Sequence, residues 1–529
     1  MGTKDVKFKN FMVVALLIIS VFFGISVPAQ DTTLISFKKD FAHTFSAVKE
    51  TEVSANPEVS SISMDDGNII IEFSKPMDPS TLNNDTVILT IVLPGVGYGT
   101  VAGKLESDDT AALFVPQSDL ISELGYTVTI TTDAKDADGN SLQSDYTQSF
   151  TVSGLNSKYG RQLQAALDTQ VALQEIPGAT LFVSDPDKGE WSLAAGSSVL
   201  DPETAMNPAD RFRIGSITKT FTASAVLRLV DEGMLTLDDP VEQYLPELEI
   251  PKNDIITIRH LLNHTSGLAD YVDYVLNNIL LYDPLHVFQP GELVQIGIEQ
   301  APDLLFEPGT GWLYSNTGYI VLGMIIESVT GSSYAAEIRR HFIEPFGLAN
   351  TFVPEDESIP GNHAHGYLDI NGDGELDNVT NINPSVAWSA GNMISNTEDL
   401  AHWARALYGG KVLSEASLAE MLDISDDYFY GLGVQYEEVL GIGHAGRIVG
   451  YNSLMAFNPD TGVIVCLLIN KAHADTLPIA HEVLNALGRL SWTTVFDRLH
   501  ATISTRYAFT DWKGISETSP RQSNKLLCK

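Results

Sequence analysis

Three short patterns in this 529-residue sequence carry side chains that could do chemistry. In "RIGSITKTF", Ser216 and Lys219 stand three apart, just ahead of an apolar run that reads as a helix. That spacing places both on one helical face, a turn apart. A hydroxyl is a poor nucleophile until a base removes its proton. A lysine in a water-poor cleft supplies that base when burial makes its neutral amine accessible. The helix start adds free backbone N–H groups suited to an oxyanion. Alone, Ser-x-x-Lys most often describes a capped helix with a solvated lysine, so its company decides.

The second pattern, "WLYSNTGYIVLG", sets Tyr314 and Asn316 before another apolar helical run. Beside a Ser–Lys pair, the tyrosine can relay a proton to a leaving group while the asparagine amide fixes a substrate amide. The third, "GHAGRIVGYNS", is strand-like and contains His444, Ala445, Gly446 and Arg447. Glycine lets a substrate backbone lie along a strand edge, and the Arg447 N–H offers a second oxyanion donor.

Ser-x-x-Lys, Tyr-x-Asn and His-x-Gly in this order resemble the penicillin-recognising serine hydrolases, specifically the D-alanyl-D-alanine carboxypeptidase and class C β-lactamase family. "HLLNHTSGL", "FEPGTGWLYSNTGY" and "AGNMISNTEDLAHW" fit the same likeness, which spans about residues 158–490. The resemblance implies that Ser216 is acylated, that Lys219 and Tyr314 are its proton-transfer partners, and that Asn316 binds a substrate amide. It places His444 at the position of the third-pattern cation, with the N–H groups of Ser216 and Arg447 as the oxyanion hole, and implies no required cofactor. Ala445 departs from the pattern. The family usually carries a hydroxyl there, which helps hold a substrate carboxylate, and the Arg447 guanidinium is the group nearest in sequence that could replace it.

The elements that must position these residues follow from hydrophobic period. "YGRQLQAALDTQVALQ" is helix-like, and "GATLFVSD" and "EWSLAAGS" read as two strands. "GLGVQYEEV", "GIGHAGRIV", "YNSLMAFNP" and "GVIVCLLIN" read as four more, followed by a closing helix in "ADTLPIAHEVLNALGRL". Strands at both ends of a mainly helical stretch predict one antiparallel sheet flanked by helices and interrupted by an α-rich region; the resemblance implies that this is an α/β, β-lactamase-like domain over 155–490.

Ahead of it, 57–154 reads as an all-β sandwich. "NIIIEFS", "TVILTIV", "AALFVP", "YTVTITTD" and "TQSFTVS" are short, β-branched and parted by the turns "KPMDPS" and "DADGN". This segment resembles the bacterial Ig-like domains of secreted and surface proteins, which implies a spacer or binding module. Lys4, Lys7 and Lys9 precede the apolar run Phe11–Val27, and "VPAQ" places Ala29 at a cleavage point. Residues 1–29 are therefore expected to be a signal peptide, with a retained membrane anchor as the alternative. Either way the remainder is exported: periplasmic, secreted or at the cell surface. Residues 30–56 are a linker, and the polar tail 491–529 reads as disordered.

Composition narrows the partners. With 31 Lys+Arg against 68 Asp+Glu, a net charge of −37 excludes a general nucleic-acid surface. The two cysteines, Cys466 in an apolar run and Cys528 near the C-terminus, form neither a disulfide framework nor a thiol site. "DINGDGELDN" matches a calcium loop at Asp369, Asn371, Asp373 and Asp377, but Thr380 stands where a bidentate acid belongs. The reading is an acidic hairpin turn, with structural calcium at Asp369–Asp377 as the alternative. His363 and His365 lack a third ligand, and His264 is expected to order a loop.

The functional expectation is an exported serine hydrolase working through an acyl-enzyme on a peptide, amide or ester. D-alanyl-D-alanine carboxypeptidase-type action on cell-wall peptidoglycan precursors is the leading form. An esterase or D-amino-acid amidase of the same fold is the first alternative, and a non-catalytic surface binding protein the second.

Overall fold

The computed structural model describes residues 56–490, apart from 66, 94–96, 119, 121–123, 152–156, 281 and 355–360. The expected signal peptide (1–29), all but the last residue of the linker (30–56) and the tail (491–529) lie outside the described residues.

The N-terminal β-sandwich has two four-stranded antiparallel sheets. One orders β1 (Val59–Asp65), β2 (Asn68–Phe73), β6 (Ala111–Pro116) and β5 (Gly103–Asp108); the other orders β4 (Gly97–Val101), β3 (Val87–Leu93), β7 (Gly125–Ile130) and β8 (Tyr146–Thr151). Alternation decides which side chains go inside. Ile69, Ile71 and Phe73 from β2 meet Tyr126, Val128 and Ile130 from β7 in one core, while Thr127 and Ser149 pair hydroxyls outside at 2.8 Å. The turns use the chemistry their sequences suggest: Asp78 accepts from the Ser80 N–H at 2.9 Å, and Asp136 from the Asn140 N–H at 2.8 Å.

In the second domain, α1 (Lys158–Leu173) leads into β9 (Gly178–Asp185), β10 (Gly189–Leu200) and β11 (Glu203–Ala205). These join β16 (Gln435–Glu437), β17 (Gly441–Ile448), β18 (Tyr451–Phe457) and β19 (Ile464–Ile469) in one seven-stranded antiparallel sheet, ordered β11-β10-β9-β19-β18-β17-β16. The first and last thirds of the domain are thus sewn together at β9–β19, where Ala179 faces Ile469. On one sheet face, α1 and the closing helix α7 (Thr476–Ala486) bury Leu163, Leu167, Ile479 and Val483. Every described residue of β9 and β19 is buried, and burial on both faces explains why β19 reads as a continuous apolar run.

The other face carries the inserted helices. Among them are α2 (Thr218–Asp231), α3 (Ile258–Leu262), α4 (Pro290–Gln300), α5 (Asn316–Thr330) and α6 (Thr397–Tyr408). Nearly every residue of α2 from Thr218 to Leu229 is buried, the expected condition of a helix enclosed all round. Phe221 stacks on Trp403 of α6 at 4.1 Å, and Tyr319 of α5 is fully buried. Short strands β12 (Phe212–Arg213) and β15 (Ile394–Ser395) pair just before the start of α2.

Candidate active site

A 3-10 turn, Gly215–Ile217, feeds α2 and carries Ser216 at its centre. The approach is fixed by backbone: the Ile214 N–H donates to the Met393 carbonyl at 2.9 Å, and the Met393 N–H to Thr218 Oγ1 at 3.2 Å. Ser216 keeps partial exposure, whereas Lys219, one turn on, has none. A reachable hydroxyl therefore lies above a buried amine.

Lys219 Nζ faces three acceptors: Ser216 Oγ at 3.1 Å, Asn316 Oδ1 at 2.6 Å and the Ala390 carbonyl at 2.8 Å. It also sits 4.8 Å from the Tyr314 ring centre and 5.1 Å from that of Tyr319. Burial pulls the Lys219 pKa down to about 7, against the opposing pull of Asp270. Tyr314 hydrogen-bonds Ser216, and burial holds its phenol well above the ordinary range. At neutral pH the tyrosine is a proton donor, and the lysine exchanges between both forms. Ser216 from the 3-10 turn, Lys219 from α2, Tyr314 from the loop before α5 and Asn316 at its first residue thus meet at one point, the first two a helical turn apart as their spacing predicts.

Sequence reasoning missed Asp270, in "SGLADY". Its Oδ2 accepts from Asn316 Nδ2 at 2.8 Å and its Oδ1 from the Val272 N–H at 3.2 Å, and the Asn316 N–H also reaches it. Burial pushes its carboxyl above the usual range, while these hydrogen bonds and Lys219 pull it back. His264 does order a loop: its Nδ1 accepts from the Ser315 N–H at 3.2 Å, and its ring lies 4.3 Å from Tyr314. Burial and the Lys219 charge keep it neutral, well below its ordinary pKa.

The third pattern lies on β17. His444 is buried, and its Nε2 meets the Tyr430 hydroxyl at 3.0 Å while its Nδ1 faces the Ala445 carbonyl at 2.5 Å. Burial, then the nearby Lys219 charge, takes its pKa down to about 3. The imidazole is neutral at pH 7, so it brings no charge to the position where the resemblance places the family's cation. The Ala445 N–H donates to Gln435 Oε1 at 2.9 Å; two residues on, the Arg447 N–H points the same way, beyond the part of β17 that β16 covers. Side chains alternate, so Ala445 and Arg447 share the face opposite His444. Ala445 packs with the α1–α7 core, and Arg447, exposed, places Nε 3.3 Å from Asn452 Oδ1. The guanidinium does not replace the missing hydroxyl.

Gly446 makes a close approach within the chain itself. A Cβ there would lie 2.0 Å from the Ile214 carbonyl oxygen, so the absent side chain admits the chain leading to Ser216. Reciprocally, a Cβ on Gly215, at φ 52°, would lie 2.7 Å from the Arg447 nitrogen. Ser453 Oγ ties the contact by donating to the Ile214 carbonyl at 2.7 Å. Gly446→Ala is therefore expected to destabilise the fold by about 1–3 kcal/mol in denaturant titration and to lower amide turnover. A variant with wild-type stability and rate would show that the contact is dispensable.

Residues 163–488, more than half of the chain, match the beta-lactamase family model. The chain belongs to the beta-lactamase family. Residues 26–152 match the bacterial Ig-like domain. The chain is 31% identical over 330 residues to penicillin-binding protein 4* of Bacillus subtilis (strain 168), covering 59% of this chain and 72% of that protein. It is 30% identical to penicillin-binding protein 4 of Amycolatopsis lactamdurans, covering 63% and 91%. Among solved structures, a D-stereospecific amidohydrolase from Streptomyces sp. shares 34% identity with a TM-score of 0.55, covering 61% of this chain and 97% of that one. D-amino acid amidase from Ochrobactrum anthropi SV3, complexed with L-phenylalanine amide, shares 28% identity with a TM-score of 0.56, covering 63% and 99%. The chain is a serine hydrolase of the penicillin-recognising fold, preceded by an Ig-like domain.

Serine hydrolases of this family need no cofactor, and among the described residues no group of three His, Cys, Asp or Glu is arranged to hold a metal ion. In the Asp369–Asp377 loop, the Asp369 carboxylate accepts from the N–H groups of Gly372, Asp373 and Gly374 at 2.7–3.1 Å. The loop joins the two-residue strands β13 (Tyr367–Leu368) and β14 (Asp377–Asn378) as an acidic hairpin turn. His365 Nδ1 is engaged by Asn378 Nδ2 at 3.0 Å.

Proposed function

We propose that this serine hydrolase cleaves amides or esters of D-configured acyl groups whose leaving group carries no carboxylate. The observation that carries this reading is the third pattern: a neutral His444, an Ala445 without hydroxyl, and an Arg447 turned toward Asn452 offer no anchor for a terminal carboxylate. The likeness to a D-stereospecific amidohydrolase and a D-amino acid amidase supports it.

In the proposed reaction, neutral Lys219 takes the Ser216 proton as Oγ bonds to the carbonyl carbon. The N–H groups of Ser216 and Arg447 receive the oxyanion. Tyr314 gives its proton to the departing amine or alcohol and is reprotonated through Lys219, leaving an acyl-enzyme that water hydrolyses. Lys219 and Tyr314 work as one coupled unit. Export belongs to this reading and rests on the N-terminal sequence.

The test is a panel: a D-amino-acid amide, its L enantiomer, a short-chain ester, a D-alanyl-D-alanine peptide and a cephalosporin. The D-amide or ester is expected to exceed the D-alanyl-D-alanine peptide in kcat/KM by roughly 10–100-fold, the value of a missing hydrogen bond to a charge. A peptide turned over faster than both would instead support the second reading, a D-alanyl-D-alanine carboxypeptidase acting on peptidoglycan precursors, which the penicillin-binding relatives favour.

A further inference from the structure

We propose that Asp270 is a positioning residue: its carboxylate holds the Asn316 amide with Oδ1 toward Lys219, directing the lone pair of the neutral amine at Ser216. The inference rests on the reading of Ser216 as the acylated serine.

Donors and acceptors decide where the lone pair points. An ammonium at Lys219 has three N–H groups for its three acceptors. A neutral amine has two N–H groups and one lone pair. If Asn316 Oδ1 and the Ala390 carbonyl take the two N–H groups, the lone pair is left for Ser216 Oγ, 3.1 Å away. The Ala390 oxygen is backbone and can only accept. The Asn316 amide, by contrast, has two orientations of nearly the same shape, and the flipped one would set an N–H donor against Lys219 and consume the lone pair.

Asp270 selects between them. A carboxylate only accepts, so Oδ2 at 2.8 Å draws the NH2 end of Asn316 toward itself and leaves the carbonyl end for Lys219. Asp270 is itself held by the N–H groups of Val272 and Asn316. The other titratable groups around the pair are His264, His444, Tyr314, Tyr319 and, beside Asp270, Tyr271; all are neutral near pH 7. Asp270 is the one carboxylate among them, so its charge also favours the protonated form of Lys219.

The experiment measures the rate of fluorophosphonate labelling and of D-amide turnover against pH, in full-length wild type, Asp270→Asn and Asp270→Glu. In Asp270→Asn the amide can offer either end to Asn316 and the charge is gone. Its plateau rate is expected to fall roughly 10–100-fold, with KM nearly unchanged, and its acid limb to move to lower pH. Asp270→Glu keeps the charge and is expected to return the limb to the wild-type position. A purely structural residue would lower the plateau without moving the limb, and that result overturns the proposal, as does a wild-type profile in Asp270→Asn. If Asp270→Asn does not fold, Asp270→Ser is read with the same expectations. A wild type that neither reagent nor substrate acylates would refute the acyl-serine reading itself, whereas an acylated wild type with unaltered variants refutes only the role of Asp270.

Discussion

Ser216→Ala is expected to abolish covalent labelling by a fluorophosphonate and to cut amide turnover by roughly 10^4–10^6-fold, the range in which removal of an acylated serine falls. The protein should remain folded. Ser216 is partly exposed, and without its hydroxyl Lys219 still reaches Asn316 Oδ1 and the Ala390 carbonyl. Loss of labelling with an unchanged melting temperature would therefore assign the chemistry to this one oxygen. Labelling that persists in the variant would place the nucleophile elsewhere, and a wild type that takes no label would favour a binding protein built on the same scaffold.

Lys219→Met is expected to cost roughly 10^2–10^4-fold in turnover, the span of a positioned acid–base group, while raising stability at mildly acid pH. The sign follows from the amine, whose pKa is about 7 in the folded chain against 10.5 ordinarily. Below about pH 7 both folded and unfolded chains hold the proton, and the full cost of burying the ammonium is present. Between about 7 and 10.5 the unfolded chain binds more protons, so wild-type stability rises with pH; above 10.5 the cost has gone. Melting curves at pH 6, 8 and 10 check this. The variant should melt higher than wild type at pH 6, with the gap closing toward pH 10. A wild type that is the more stable at pH 6 would mean that the three hydrogen bonds of Lys219 outweigh its burial.

The sequence made the sandwich legible where strands alternate, as in β2 and β7, and left β1, β4 and β5 unread. "VSSISMD", "GYGTV" and "GKLESD" hold few apolar residues to show a period: at the sheet edges the described residues of β1 are half-buried or exposed and most of those in β4 and β5 are exposed. Six strands of the large sheet and its closing helix were readable, since β19 is apolar throughout, β9 has an apolar centre in Leu181–Val183, and β10 and β17 are bounded by turns. β11, three exposed residues, was not. At the site, Ser216, Lys219, Tyr314 and Asn316 come with local patterns. Asp270 has none: it stands in a loop, and the contact that gives it meaning is to Asn316, 46 positions away. The charge of His444 was equally hidden, because it depends on burial under Tyr430 and on the distance to Lys219, neither of which a His-x-Gly pattern contains.

The interlock of Gly215 with Arg447 and of Gly446 with Ile214 sets a schedule for the chain as it is made. Synthesis runs from the N-terminus, so the segment bearing the reactive hydroxyl emerges long before β17 and β18, which supply one proposed oxyanion donor and the tie from Ser453. Until then the helix start has its bonds to Met393 but lacks the close contacts with Arg447, Gly446 and Ser453, and the central pairing of β9 with β19 is still missing. A ribosome-bound or C-terminally truncated chain would be chemically silent, and hydrolysis would switch on only as the last strands dock.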